Sequence, residues 1–119
     1  MSAIVLGHIN PDTDTVCSAI AYAWYLKNHA GVDAEARVAG VLNKETAFVL
    51  ERFGLAAPQL ISELKEDDKV YLVDTNNPEE LLPGHDKADI QEIVDHHKLV
   101  GGLSTLGPIA VTMKPVASL

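Results

Sequence analysis

With a single cysteine, Cys17, in 119 residues, the chain can close no internal disulfide and build no Cys-rich zinc module. Cys17 is expected as a small packing residue of the core. Long apolar runs are equally scarce: the stretch Ala3 to Leu6 falls far short of the roughly 20 residues that a membrane helix requires, so no membrane partner is expected. The opening Met-Ser-Ala-Ile-Val-Leu-Gly-His has neither the basic leader nor the longer apolar region of a secretory signal, which points to a cytoplasmic location. Positive charge is thin as well. Nine Lys and Arg stand against 17 Asp and Glu, a net charge of −8 that repels polyanions, so nucleic acid is not expected as a direct partner. The length suits one domain and leaves no room for a second complete one. There are no repeats and no low-complexity tract.

What the chain has is a regular alternation of short apolar runs and helical stretches. Ala3 to Leu6 predicts a buried strand ended by Gly7. Asp14 to about His29 predicts a helix with Val16, Ile20, Ala23, Trp24 and Lys27 along its apolar face, capped by Asp12, Thr13 or Asp14 and stopped by Gly31. Trp24 is expected in the core. Glu35 to Val41 predicts a second strand, and Lys44 to Phe53 a second helix capped by Asn43 and stopped by Gly54. Lys69 to Val73 and Ile90 to Val94 predict two more strands, with Asn77-Pro78-Glu79-Glu80 between them as a helix opening, since proline fits a first helical turn. Lys98 to Pro108, with three glycines, predicts a loop, and Pro108 to Met113 a fifth strand. This order implies an α/β fold with a doubly wound, mostly parallel sheet, right-handed crossovers and helices on both faces. Lys114 to Leu119 resembles the turn and cap of a further helix, so the domain is expected to be incomplete.

Three strand ends carry metal-ligand residue types. Gly7-His8-Ile9-Asn10-Pro11-Asp12-Thr13-Asp14-Thr15 follows the first strand, Asp74-Thr75-Asn76 the third, and Asp95-His96-His97 the fourth. Parallel strands deliver their carboxyl ends to one edge, so these segments converge in space. Each alone has a plain structural explanation. Asp12 and Asp14 can cap a helix, Asp74 can belong to a turn, and His96 and His97 can be a satisfied pair. Together His8, Asp12, Asp14, Asp74 and His96 offer two imidazoles and three carboxylates, a mixture that suits Mn²⁺, Mg²⁺, Fe²⁺ or Co²⁺ better than a closed thiolate zinc site. Five donors exceed what one catalytic ion takes from protein, which favours two ions and hydrolysis of a phosphoester or phosphoanhydride. His29 and His85 lie in polar contexts and are given no role.

These segments resemble the motifs of the family II, manganese-dependent inorganic pyrophosphatases of the DHH phosphoesterase superfamily. Asp95-His96-His97 marks the superfamily, while Asn10-Pro11-Asp12-Thr13-Asp14-Thr15 favours the pyrophosphatase branch. The resemblance runs from Ile4 through Val116. It implies that His8, Asp12 and Asp74 hold one Mn²⁺, that Asp14, Asp74 and His96 hold the other, and that Asp74 bridges the two. It further implies that His97 lies on the substrate side, that Asp95 orients the neighbouring imidazoles, and that a bridging hydroxide attacks pyrophosphate, which arrives with a further Mg²⁺. Co²⁺ or Mg²⁺ are possible replacements for Mn²⁺, and a homodimer is expected.

The chain departs from the family pattern in three respects. Thr75-Asn76 stands where many relatives have His-Asn. A later aspartate ligand of the first domain is missing, and so is the second domain with its pyrophosphate-gripping Lys and Arg, so the chain alone is expected to be inactive. Two alternatives stand beside pyrophosphate hydrolysis. One is a DHH phosphohydrolase of short oligonucleotides or cyclic dinucleotides. The other is a non-catalytic metal-binding or dimerisation module, against which the intact ligand set argues.

Overall fold

A computed structural model describes residues 2–97 and 109–113. Its elements are β1 (Ala3–Leu6), α1 (Thr13–His29), β2 (Ala34–Val38), α2 (Lys44–Arg52), β3 (Gln59–Leu60), β4 (Lys69–Val73), a 3₁₀ turn (Pro78–Glu80), β5 (Asp89–Asp95) and β6 (Ala110–Met113). The six strands form one sheet in the order β3-β2-β1-β4-β5-β6, every pairing parallel. The expected α/β, doubly wound sheet is thus present. The chain winds outward from β1 to β3 and then returns to the other side of β1, so the order reverses between β1 and β4.

The two sheet faces are covered differently. Val5, Ala34 and Val73 pack against Ala19, Ala23 and Leu26 of α1, and α2 joins the same side through Leu50 on Val16 and Val38. The opposite face buries Leu6, Val70, Leu72, Ile90 and Ile93 beneath Leu64, Leu81, Leu82 and Ala88 of the connecting segments. Among the described residues, the helix expected after Asn77 is only the 3₁₀ turn. Leu81 and Leu82 must turn into the core at once, and Pro83 follows, which cannot continue a helix.

Two packing expectations are corrected. Trp24 is 60% exposed and leans on His29 with ring centroids 5.1 Å apart. The buried stripe of α1 is Val16, Ala19, Ala23 and Leu26; alanines let the helix lie close to the sheet, where an indole at position 24 would hold it off. Cys17 is half-buried rather than core. The caps are as expected: the Asp12 side chain receives Thr15 N at the start of α1, Asn43 receives Thr46 N at α2, and Gly31 and Gly54 follow the helices at positive φ. Strand β3 was not foreseen, because two exposed residues carry no alternation. The fifth predicted strand is β6. The glycine-bearing loop from 98 to 108 and the terminal run 114–119 lie outside the described residues.

One irregularity sets the position of the site. Val70 pairs with Ile90, yet Tyr71 pairs with Glu92, so β5 holds one extra residue there, a β-bulge. Val73 then faces Val94, and Asp74 N donates to Val94 O at 2.9 Å. Were the same sequence paired without the bulge, Asp95 would overshoot Asp74 by one position and point to the other face.

Candidate metal centre

Connections from β1 and from β4 leave toward opposite faces of the sheet, which opens a crevice at the carboxyl ends of these two neighbours. His8, two residues beyond β1, and Asp74, directly after β4, stand on its two sides. Asp12 and Asp14 enter from the start of α1, and Asp95, His96 and His97 from the end of β5. The three segments singled out in the sequence therefore meet.

Asp74 is the centre of the cluster. It is buried and leaves β4 at φ 61°, a left-handed conformation that Asp and Asn tolerate better than most residues. Its two carboxylate oxygens face different partners. Oδ2 accepts from Thr15 Oγ1 at 2.7 Å and lies 3.5 Å from His8 Nε2. Oδ1 lies 2.7 Å from His96 Nε2 and 3.8 Å from His97 Nδ1. Asp12 Oδ1 is 3.9 Å from His8 Nε2, so Asp12 both caps α1 and faces the cluster. Asp14 Oδ2 is 3.2 Å from His96 Nε2.

Asp95 is also buried, and both of its oxygens are committed. Oδ1 accepts His96 N at 2.7 Å and His97 N at 3.1 Å, and pairs with His97 Nδ1 at 2.7 Å. Oδ2 accepts Asn76 Nδ2 at 2.6 Å. Although Asp95 and His97 lie close enough to Asp74 and His96 to form a ligand group with them, these bonds make Asp95 a holder of the two histidines. Thr75 is turned to the following loop: it donates to Glu80 at 3.3 Å and accepts from Asn77 N at 3.3 Å.

The donor spacing fits hard divalent ions. Adjacent ligands of an octahedral ion with bonds of about 2.1 Å stand roughly 3 Å apart. The His8 group, with pairs at 3.5 and 3.9 Å, and the His96 group, with pairs at 2.7 and 3.2 Å, bracket that spacing. Charge points the same way. Burial would push Asp74 up, but hydrogen bonds with His8, Thr15 and His96 and the nearby His97 hold it at about 2. His8 is raised above 6.5 by its hydrogen bond to Asp74, against burial, with Asp12, Asp74 and Glu80 adding their charge. Carboxylates that hold histidine protons this firmly offer the same field to a metal cation. The Cys17 thiol is pushed up by burial and by the Asp14 carboxylate, so it is no ready thiolate ligand.

Two polar residues escaped the sequence reading. Thr15 is buried and touches both His8, at 2.6 Å, and Asp74. Asn76 holds Asp95. The only signal was the place of Thr15 three residues after the cap, which brings its backbone to Asp12 but says nothing of its hydroxyl. Gly7 supports the same corner, for a Cβ there would lie 2.2 Å from Thr15 Cγ2.

Residues 2–118 match the family described as the DHH family, N-terminal domain. A Deinococcus radiodurans protein named "Probable manganese-dependent inorganic pyrophosphatase" is 45% identical over 112 residues, 94% of this chain and 35% of that protein. One of the same name from Shouchella clausii is 42% identical over 114 residues, covering 95% and 36%. A solved structure titled "Crystal structure of Methanococcus jannaschii putative family II inorganic pyrophosphatase" superposes with a TM-score of 0.84 at 38% identity, over 99% of this chain and 35% of that one. The chain thus spans about a third of the length of these relatives.

Proposed function

This chain belongs to the DHH family, and on that premise we propose that it is the metal-holding part of a manganese-dependent enzyme that hydrolyses inorganic pyrophosphate to two phosphates. One observation carries the reading: the two oxygens of Asp74 face two different imidazoles, His8 on Oδ2 and His96 on Oδ1. His8, Asp12 and Asp74 would hold one Mn²⁺, and Asp14, Asp74 and His96 the other, with Co²⁺ or Mg²⁺ as substitutes. Such an ion pair, when bound, lowers the pKa of water and neutralises charge on phosphoryl oxygens, and a further Mg²⁺ would accompany the substrate.

The protein residues do the positioning. Asp95 fixes the backbone at 96 and 97 and the His97 ring, so that His96 turns toward Asp74 while the half-exposed His97 faces outward. In this reading His97 gives a hydrogen bond or proton to a phosphoryl oxygen of the substrate. A recess of ≈ 410 Å³ lined by Asn10, Asp12, Gly40 and Asn43 shares Asp12 with the His8 group. We assign the basic residues that would offset pyrophosphate to a part of the enzyme outside this chain, which spans about a third of its relatives' length. We further propose a cytoplasmic homodimer; for the dimer, the support is that among the described residues β6 is an edge strand with Val111 exposed, which a second copy can cover.

The test is calorimetric titration with Mn²⁺ of the chain and of Asp74→Asn. The expected result is two ions in the former and much weaker binding of both in the latter. Equal affinity removes the bridge. In the longer protein, turnover of pyrophosphate far above that of a dinucleotide is expected, and the reverse ranking would favour the oligonucleotide branch.

A further inference from the structure

Thr13 stands between Asp12 and Asp14, the two residues at the start of α1 that face different imidazoles, His8 and His96. Its own side chain reaches α2. The hydroxyl donates to Glu45 Oε1 at 2.5 Å and lies 3.0 Å from Thr46 Oγ1. A carboxylate can only accept, and a hydroxyl has one proton to give, so the bonds run in one direction, from Thr46 to Thr13 to Glu45. Thr46 is fully buried and its N donates to the capping Asn43 Oδ1 at 2.8 Å, so this series of bonds begins at a fixed point on α2. None of its atoms is a metal donor in the reading above, and the bonds therefore stand whether or not ions are bound. The Asp12 side chain, by contrast, is 58% exposed. Packing does little to hold it, and its place depends on where the backbone of α1 begins. The apolar contact between the helices, Leu50 on Val16, lies beyond the residues that carry the carboxylates.

From this geometry we propose that Thr13, tied to Glu45 and Thr46, is a positioning residue shared by both ions: it fixes the start of α1 against α2, and with it the one carboxylate that each ion takes from this helix. The inference rests on the two-ion reading above. It carries its own signature. Asp12 serves one ion and Asp14 the other, so release of the bracket between them weakens both ions together, whereas loss of a ligand that serves one ion weakens chiefly that ion. Loss of an outer support of a metal ligand lowers affinity about 10- to 100-fold, and a support that acts through the backbone belongs at the lower end of that range.

The experiment is Mn²⁺ calorimetry on the 119-residue chain and on Thr13→Val, Thr13→Ser, Glu45→Ala and Glu45→Gln, at a temperature where melts show each metal-free protein folded. Electron paramagnetic resonance of the loaded samples accompanies it. Val keeps the shape of Thr13 and loses its bonds, Ser keeps the hydroxyl, and Gln keeps an acceptor oxygen at position 45 without the charge. The expected result is a loss of about tenfold for both ions in Thr13→Val and Glu45→Ala, and both ions within about threefold of the unmodified chain in Thr13→Ser and Glu45→Gln. The spin-coupled signal of the ion pair should be weaker, at equal metal concentration, in the first two variants alone. Glu45 is exposed, so its variants decide the matter if Thr13→Val, which strands the buried Thr46 hydroxyl, does not fold. Val and Ala variants that bind both ions like the unmodified chain, or that weaken only one, would overturn the inference. A Ser variant as weak as Val, or a Gln variant as weak as Ala, would do the same, since packing or charge would then be the cause. An unmodified chain that binds no pair of ions would overturn the two-ion reading itself and this inference with it.

Discussion

Replacing Asp95 by Asn is the sharpest structural test of the site, because the two side chains have the same shape. The carboxylate accepts from His96 N, His97 N and Asn76 Nδ2 and pairs with His97 Nδ1, all within 2.6–3.1 Å. An Asn can turn its oxygen to the position 96 and 97 donors, but its NH₂ then meets the NH₂ of Asn76. A stranded buried donor costs about 1–3 kcal/mol, and charge-assisted bonds are roughly twice as strong as neutral ones. Asp95→Asn should therefore lose about 2–4 kcal/mol of stability, which at about 4 °C per kcal/mol for a chain of this size is a Tm drop of about 8–16 °C. Adding Asn76→Asp to it restores a donor–acceptor pair and should recover at least about 1 kcal/mol in a double-mutant cycle. Asn76→Asp alone, which sets two carboxylates in contact, should be the worst of the three. Thermal and denaturant melts of the four proteins give the answer. A Tm change under about 2 °C for Asp95→Asn, or strictly additive effects in the cycle, would refute the claim that Asp95 anchors the histidines.

Four further outcomes are expected. His96→Gln should weaken one Mn²⁺ ion by calorimetry, whereas His97→Gln should keep metal affinity and lose turnover in the longer protein; equal metal loss in both would remove the division of roles. Mn²⁺ affinity should rise with pH through 6.5 and level off only above the raised His8 value, because the proton that Asp74 holds on His8 must leave before the imidazole can ligate, and the rise should shrink in His8→Gln. Without metal, His8 stabilises the fold fully below 6.5 and loses that contribution as pH rises through its raised folded value, while Asp74 contributes above 3.8 and loses it as pH falls toward about 2. Metal-free stability should therefore peak between these limits in a pH series of melts. Finally, the chain alone should release almost no phosphate from pyrophosphate in Mn²⁺ and Mg²⁺, and a rate near that of a relative of full length would contradict the proposal that a second, basic domain is needed.

Much of the site was legible because it depends on order along the chain. An apolar run that ends on His8, another on Asp74 and a third on Asp95 must meet if the strands are parallel, whatever the details of packing. The details were less visible. Periodicity put Trp24 on the buried face, but van der Waals fit against the sheet chose Ala19 and Ala23. Propensity allowed a helix after Pro78, but burial of Leu81 and Leu82 ended it after one turn. The bonds of Thr15 and Asn76 are invisible in sequence because threonine and asparagine near a turn are common and only the folded angles say what they reach. The bulge in β5, which brings Asp95 level with Asp74, leaves no mark on the pattern of apolar residues.

The backbone at Asp74 carries a consequence for variation at that position. A φ of 61° is readily adopted by Gly, Asn and Asp and resisted by longer side chains. The proposed bridge between two ions, for its part, needs a carboxylate, which admits Asp and Glu. The two vocabularies share one word. Asp74→Glu, conservative on any chemical scale, should therefore harm the site nearly as much as loss of the charge, because it fails the conformational filter where Asn fails the electrostatic one. Position 74 is the point at which the shape of the chain and the chemistry of the crevice jointly leave no synonym.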